Sequence, residues 1–422
     1  MKYVIVGASA AGAQAAEDLR KLDPDGDVHV LTEEASPPYS RCMISRYADG
    51  RLRESDLYFK TGRFAEKLNV RYTSGVRVVR ISPGSKTVAC SDGKTVAYDQ
   101  LLLATGSRPW LPDVPGRELD GVFTFHSMKD AAAISKRAET AKTAAIIGAG
   151  FAGLEAAYAL ARRGLKVTVI ERCGQILPNQ LDAKGAAIIH RDLEKMGVQI
   201  VLNQSVAAIN GHDRATGVSL AEKPQVQADF VIVATGTEPN KELAFQAGLE
   251  TARGIRVSDR LQTSAPHVYA AGDAIEIDDA TTGRRIPSAT WFNAVLQGKY
   301  AAYNMAGRSR PYTGAIGIQN AVQFHQIPAI SFGQVRVDSD SHENDEVVSL
   351  SEGETVYKKL VLKAGRIVGM VMVGDIQKSG FYAALIRHQI DVSRHRHKLL
   401  DKDFSYAVVH AGPQFGQRSP YV

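Results

Sequence analysis

Short apolar runs closed by glycine recur along the chain, and several are followed by longer Ala- and Leu-rich stretches. Tyr3-Val4-Ile5-Val6, Val28-His29-Val30-Leu31, Leu101-Leu102-Leu103, Ala144-Ala145-Ile146-Ile147, Val167-Thr168-Val169-Ile170, Phe230-Val231-Ile232-Val233 and Val268-Tyr269-Ala270-Ala271 are of strand length and read as buried strands. Helices are predicted from near Ala13, over Leu154 to Arg163, from Thr290 through Gly298 and near Phe381 to His388. Asp92-Gly93 and Ala364-Gly365 mark hairpin turns, the second inside Tyr357 to Asp375. The acidic stretch Val335 to Glu354 reads as a solvated loop between strands.

The first strand turns through Gly7-Ala8-Ser9-Ala10-Ala11-Gly12 into its helix, and the second strand ends at Thr32-Glu33. That order is a dinucleotide-binding βαβ unit. Gly7 makes the tight turn, Gly12 lets helix and strand approach, and Glu33, 26 residues past Gly7, is placed to accept from a ribose. Ser9 replaces the middle glycine with a small residue. A complete copy follows in Gly148-Ala149-Gly150-Phe151-Ala152-Gly153, with Glu171 at the strand end, 23 residues past Gly148. A carboxylate there accepts from both ribose hydroxyls and repels a 2′-phosphate, so this copy should prefer NAD to NADP, with Arg172 as the one softening feature. The tails repeat too, at a period of about 140 residues. Ala104-Thr105-Gly106 and Ala234-Thr235-Gly236 each close a strand, and Gly272-Asp273 ends another. A Thr-Gly turn can bring backbone amides against a nucleotide, and a carboxylate at a strand tip can hold a polyol.

Composition narrows the class. The 422 residues are 44% apolar and 23% charged, ordinary for two to three globular domains. The opening apolar run spans about four residues, short of the roughly seven of a signal peptide. Nothing approaches the roughly 18 apolar residues of a membrane span, and a cytoplasmic protein is expected. Three dispersed cysteines, Cys42, Cys90 and Cys173, cannot supply a disulfide framework or the four ligands of an iron–sulfur cluster, so any cluster must sit on another chain. A formal charge of +6 without aromatic-basic interleaving gives no reason to expect nucleic acid.

This order of motifs resembles the pyridine-nucleotide-linked flavoprotein reductases over roughly residues 1 to 310. The resemblance implies an α/β chain of two Rossmann-like nucleotide-binding domains, the second inserted in the first, with a C-terminal α+β interface domain. The FAD-binding domain would cover 1–110 and 245–318, the NAD-binding domain 111–244 and the interface domain 319–422. Carried over by position, Gly7, Ser9, Ala11, Gly12 and Glu33 would hold the ADP half of FAD, Arg41 its phosphates, Val76 the adenine and Asp273 the ribitol, with Thr105, Gly106, Arg108 and Gly272 beside them. Gly148, Gly150, Gly153, Glu171 and Gly236 would hold NAD, and Glu155 would stand beside the nicotinamide. The loop Pro38-Tyr39-Ser40-Arg41, followed by Ile44-Ser45-Arg46, resembles the branch with the flavin module of NADH-dependent nitrite reductase and the ferredoxin and rubredoxin reductases. Trp291 and Arg46 would then lie near the reactive ring. The whole chain resembles the NAD-linked flavoprotein subunit of an iron–sulfur 2-oxoacid oxidoreductase complex, which implies iron–sulfur protein subunits as partners in a hetero-oligomer.

Two readings stay open at Cys42. Its position matches the single redox cysteine of NADH oxidases, peroxidases and coenzyme A disulfide reductases, and Arg41 and a helix start would lower its pKa. Yet Arg41-Cys42-Met43-Ile44-Ser45 lacks that branch's Gly/Ala-x-Pro-Tyr pattern after the cysteine, which leaves Cys42 a bystander. Arg394-His395-Arg396-His397-Lys398 has a His-x-His spacing but no carboxylate or cysteine in ligand register. It reads as a solvated basic face, able to dock an acidic partner, and no metal site is expected.

Overall fold

The computed structural model describes residues 1–59, 64–222, 224–336 and 345–410. The first apolar runs assemble into a five-stranded parallel sheet in the order Val268–Ala270, Gln100–Leu103, Lys2–Val6, Asp27–Leu31, Arg71–Thr73. Ile5 lies opposite both Val30 and Leu102, and all three are fully buried, as strands covered on both faces require. A second five-stranded parallel sheet repeats the plan in the order Val122–Thr124, Val231–Val233, Thr143–Ile147, Lys166–Ile170, Gln199–Val201. In both, the strand entering the glycine turn is central. Each sheet also carries a three-stranded antiparallel insert between its third and fourth strands in sequence order from that central strand, starting at Val78–Ser82 and at Val206–Gly211. The copies differ at one edge: the outer strand comes from late in the chain in the first sheet, and from ahead of the glycine turn in the second.

The first helix spans Ala10–Leu22, three positions ahead of the sequence expectation. Gly7 turns so sharply that Ser9 already caps the helix, and the amide of Ala13 closes the first full turn onto the Ser9 carbonyl at 2.9 Å.

By compactness the chain divides into two units. One comprises Met1–Gly174, Gly197–Asp279 and Gly283–Gly317, and holds both parallel sheets. The other comprises Gln175–Met196, Ala280–Thr282 and the described residues from Ile318 onward. Its five-stranded antiparallel sheet runs Gln319–Gln323, Pro328–Gly333, Arg366–Val373, Val356–Lys363, Asp345–Glu352. The helix Ala183–Lys195, which lies within residues 111–244, packs on this sheet closely enough that a Cβ on Gly185 would sit 3.3 Å from Val371 and Val373. Asp182, its N-cap, also takes the Tyr357 hydroxyl at 2.7 Å and Lys359 at 3.0 Å.

The turn Ala364-Gly365 has both φ positive, at 48° and 74°, as a tight hairpin requires. The acidic stretch needs correction. Asp338, Asp340 and Glu343 lie outside the described residues, but Asp345–Glu352 is an edge strand rather than a loop. Its half-buried Val348 and Leu350 alternate with exposed Val347, Ser349 and Ser351, and the flanking charges of an edge strand hid that alternation. Arg394 to Lys398 lie in the 3-10 turn Ser393–Lys398, where His395 packs 5.9 Å from the Phe404 ring.

Candidate functional site

Two glycine turns set the scaffold. Gly7 and Gly148 have φ of +103° and +105°, and a Cβ on either would meet the carbonyl oxygen of Ala104 at 2.1 Å or of Ala234 at 2.5 Å. Gly12 and Gly153 are as constrained, their added Cβ falling 1.9 Å from the Gly7 oxygen and 2.0 Å from that of Gly148. The middle position is different. Beside Gly150 an added Cβ would meet nothing within 4 Å, and Ser9 occupies the matching place in the first copy. Neither Ser9 nor Gly150 closes its helix end with a side-chain bond. Open space at a bare helix N-terminus is what an anionic pyrophosphate fits.

Ala11 is enclosed by two further glycines, with an added Cβ on Gly272 3.2 Å from its side chain and one on Gly298 2.2 Å from its carbonyl oxygen. This close approach brings the Gly272-Asp273 turn to the first fingerprint. Gln297, fully buried, holds the turn by accepting from the Gly272 amide at 2.8 Å while donating to Ser288 at 2.8 Å. Sequence reading missed Gln297 and Ser288, since nothing local marks a glutamine whose partner lies 25 residues away in the chain.

The strand-tip carboxylates are used differently. Glu33 is exposed and pairs with Arg77 at 3.5 Å, next to Val76, whose amide reaches the Thr32 carbonyl at 3.0 Å. Glu171 is 7% exposed and accepts from the Ala149 amide at 2.8 Å and the Cys173 amide at 2.9 Å, which braces its own glycine turn.

The loop after Tyr39 lies near Asp273 and Glu155. Arg41 donates to Glu34 at 2.5 Å and to the His126 carbonyl at 3.0 Å. Asp273 accepts from the Ser107 hydroxyl at 3.2 Å, and His126 Nε2 lies 3.0 Å from the Ser107 carbonyl, an acceptor that requires the proton on that nitrogen. Burial and the Arg41 charge hold the imidazole below its ordinary pKa. Cys42 is reached by solvent, and its thiol feels the charges of both Asp273 and Glu155. Burial, then those two carboxylates, push the thiol above its ordinary pKa. The expected lowering is thereby corrected: Cys42 does stand at a helix start, in the 3-10 turn Arg41–Met43 that runs into Ile44–Ala48, but Arg41 is engaged by Glu34 and the His126 carbonyl, and burial and the two carboxylates outweigh the helix.

Glu155 is raised by burial, against opposing effects from Ser45, Arg51 and Arg46. Asp273 is raised by burial, against Ser107 and Arg41. Trp291 opens the helix Trp291–Met305, capped by Thr290, and meets Phe59 edge-on at 5.2 Å.

Arg108 is engaged by the protein's own acidic side chains. It binds Glu238 at 2.8 Å, Glu242 at 2.7 Å and the Asn240 side chain at 3.1 Å, stapling the two-stranded ribbon Ser107–Pro109 with Thr237–Pro239, and Ser107 is the neighbour that reaches Asp273. Thr105 and Gly106 are tied to Asn240, through the Thr105 hydroxyl at 2.7 Å and the Gly106 carbonyl at 2.9 Å. The Gly236 carbonyl accepts the Trp110 amide at 2.9 Å. The two Ala-Thr-Gly turns thus mark where the chain leaves the first sheet and where it returns. Among the described residues no group of three or more His, Cys, Asp and Glu is arranged to hold a metal.

Two dinucleotide cradles on repeated parallel sheets, with Cys42 near both Asp273 of the first and Glu155 of the second, define an FAD-dependent NAD(H) oxidoreductase. The chain belongs to the pyridine nucleotide-disulphide oxidoreductase family, whose model matches residues 1–298, and residues 320–390 match the rubredoxin NAD+ reductase C-terminal domain. Its cofactors are FAD and NAD. It is 30% identical to the nitrite reductase [NAD(P)H] of Bacillus subtilis over 93% of this chain and 48% of that one, so it spans about half that relative's length. It is 29% identical to the NADH-dependent phenylglyoxylate dehydrogenase subunit epsilon of Aromatoleum evansii, over 93% of both chains. Among solved structures it matches an NAD-dependent persulfide reductase from A. fulgidus with a TM-score of 0.87 and 28% identity, covering 96% of this chain and 80% of that one. No helix among the described residues is long and apolar enough to cross a membrane.

Proposed function

We propose that the chain is the NAD-facing flavoprotein subunit of a cytoplasmic iron–sulfur oxidoreductase complex, one acting on a 2-oxoacid such as phenylglyoxylate and passing the electrons to NAD⁺. The observation that carries this reading is the setting of Cys42: its neighbour Arg41 is already engaged by Glu34 and the His126 carbonyl, and burial with the nearby carboxylates raises the thiol, so that the site favours electron transfer without a thiol nucleophile. Support comes also from the Aromatoleum subunit, matched nearly end to end, and from the rubredoxin reductase type of C-terminal domain.

When bound, the nicotinamide and flavin supply hydride transfer and the conversion between hydride and single electrons. The chain's own residues bind, orient and exclude water. Gly7, Ser9, Ala11, Gly12, Glu33 and Val76 would hold the ADP half of FAD, Arg41 its phosphates, and Asp273, kept in place by Ser107, its ribitol. Gly148, Gly150 and Gly153 would receive NAD, with Glu171 bracing their turn as well as reading the ribose. Glu155, Arg46 and Trp291 would enclose the reactive ends. The domain division at 1–110 with 245–318, 111–244 and 319–422 is proposed on the same footing.

The test is anaerobic reduction of a ferredoxin by NADH, catalysed by the wild type and by Cys42→Ser. Rates within about tenfold of each other are expected, since a thiol contributes little to electron transfer. A larger loss, joined to rapid turnover of coenzyme A disulfide or peroxide by the wild type, would install the single-cysteine NADH oxidase, peroxidase or coenzyme A disulfide reductase reading instead.

A further inference from the structure

The helix Phe151–Arg162, whose N-terminus carries the second glycine turn, presents Glu155, Tyr158 and Arg162 along one stripe. That stripe lies against the segment from Ile44 to Arg51. Glu155 lies beside Ser45, while Arg51 and Arg162 lie over the Tyr158 ring at 5.5 and 5.9 Å. At the far end Asp49, its side chain fully shielded from solvent, takes Arg51 at 2.6 Å and Arg162 at 3.4 Å. The next residue, Arg163, donates to the Ala48 carbonyl at 2.9 Å and to Ser135 at 2.8 Å. Arg51 is local to its own segment, so Arg162 and Arg163 make the link between elements. A shielded carboxylate tolerates no loss of its cations, and a planar guanidinium can both pair and stack where an ammonium cannot.

We propose that Arg162 is a positioning residue for the transfer between NAD and flavin. Through Asp49 and Tyr158 it fixes the wall carrying Cys42, Ser45 and Arg46 to the helix that receives the dinucleotide, and so sets where the two reactive ends meet. A shift of about 1 Å in such an arrangement costs on the order of a hundredfold in rate. The inference rests on the proposed function, but only on its NAD-side half-reaction.

The experiment compares wild type, Arg162→Gln and Arg162→Lys as FAD-loaded proteins. Hydrogen exchange of residues 44–51 is followed without NAD, alongside the limiting rate of flavin reduction by NADH and the NADH dissociation constant. Arg162→Gln should raise exchange at Asp49 and Gly50, whose amides bond the Ser45 and Tyr47 carbonyls at 3.0 Å, and lower the limiting rate by about tenfold or more. The dissociation constant should stay within about threefold, because the glycine turn is untouched. Arg162→Lys should recover part of both effects, and it carries the test if the Gln variant does not fold. An unchanged limiting rate, a loss confined to NADH affinity, or a slower rate with unchanged exchange over 44–51 would each overturn the proposal. Flavin reduction precedes any acceptor, so a thiol-based second half-reaction would refute the proposed function and leave this result standing.

Discussion

Cys42 shows at the scale of one side chain how location outweighs neighbours in sequence. Arg41 adjoins it, but the charges that reach the thiol are those of Asp273 and Glu155, which raise it. In the apoprotein Cys42 should therefore alkylate with iodoacetamide more slowly at pH 7 than free glutathione, and Asp273→Asn or Glu155→Gln should each accelerate it. Mass spectrometry of the Cys42 peptide reads this, and a rate above that of glutathione would contradict the assignment. Asp273 itself carries a stability consequence. Its folded pKa is raised above 3.8, so the folded apoprotein binds the proton more tightly than the unfolded chain. The resulting penalty is fully present above the raised pKa and disappears below the ordinary one. Asp273→Asn should raise the apoprotein Tm by about 1–3 °C at pH 7 and give no gain below pH 3.8. A gain of equal size at both pH values would count against burial as the cause. Neither effect was legible in the sequence, where Arg41 was visible and Asp273 stood more than two hundred positions away.

The glycine turns were legible as elements because their demands are local: a positive φ at Gly7 and Gly148, and a backbone approach at Gly12 and Gly153 that excludes any side chain. What stayed hidden depended on distant partners. Arg108 was drawn to Glu238 and Glu242 across a ribbon, the edge strand Asp345–Glu352 was masked by its charges, and the clasp at Asp49 joins elements more than a hundred residues apart. Two substitutions in the second fingerprint separate fold from binding. Gly153→Ala, blocked by the Gly148 carbonyl, should destabilise the protein as a whole, whereas Gly150→Ala, facing open space, should keep Tm but weaken NADH binding about tenfold. Calorimetry and NADH titration distinguish them, and equal loss of Tm in both would argue against a ligand-facing Gly150. Glu171→Ala should narrow the preference for NADH over NADPH, expected at about tenfold or more in the wild type. Because Glu171 also holds the Ala149 amide, NADH affinity itself should fall in that variant. Equal use of both cofactors by the unmutated protein would remove the specificity argument.

At the scale of the molecule, the repeat gave away the architecture: two parallel sheets of the same order, each with an antiparallel insert. The exchange of one edge strand between early and late chain was hidden, since a three-residue strand such as Val122–Thr124 carries too little pattern. The isolated chain should reduce ferricyanide with NADH but oxidise no 2-oxoacid, and native purification should bring cluster-bearing chains with it. Charge reversal within Arg394 to Lys398 should weaken that assembly and make it more sensitive to salt. The central claim, a flavin that works without a thiol, is tested most directly by anaerobic reductive titration of the FAD-loaded protein. Full reduction at about two electrons per flavin, unchanged in Cys42→Ser, is predicted, whereas about four in the wild type, falling to about two in the variant, would contradict it.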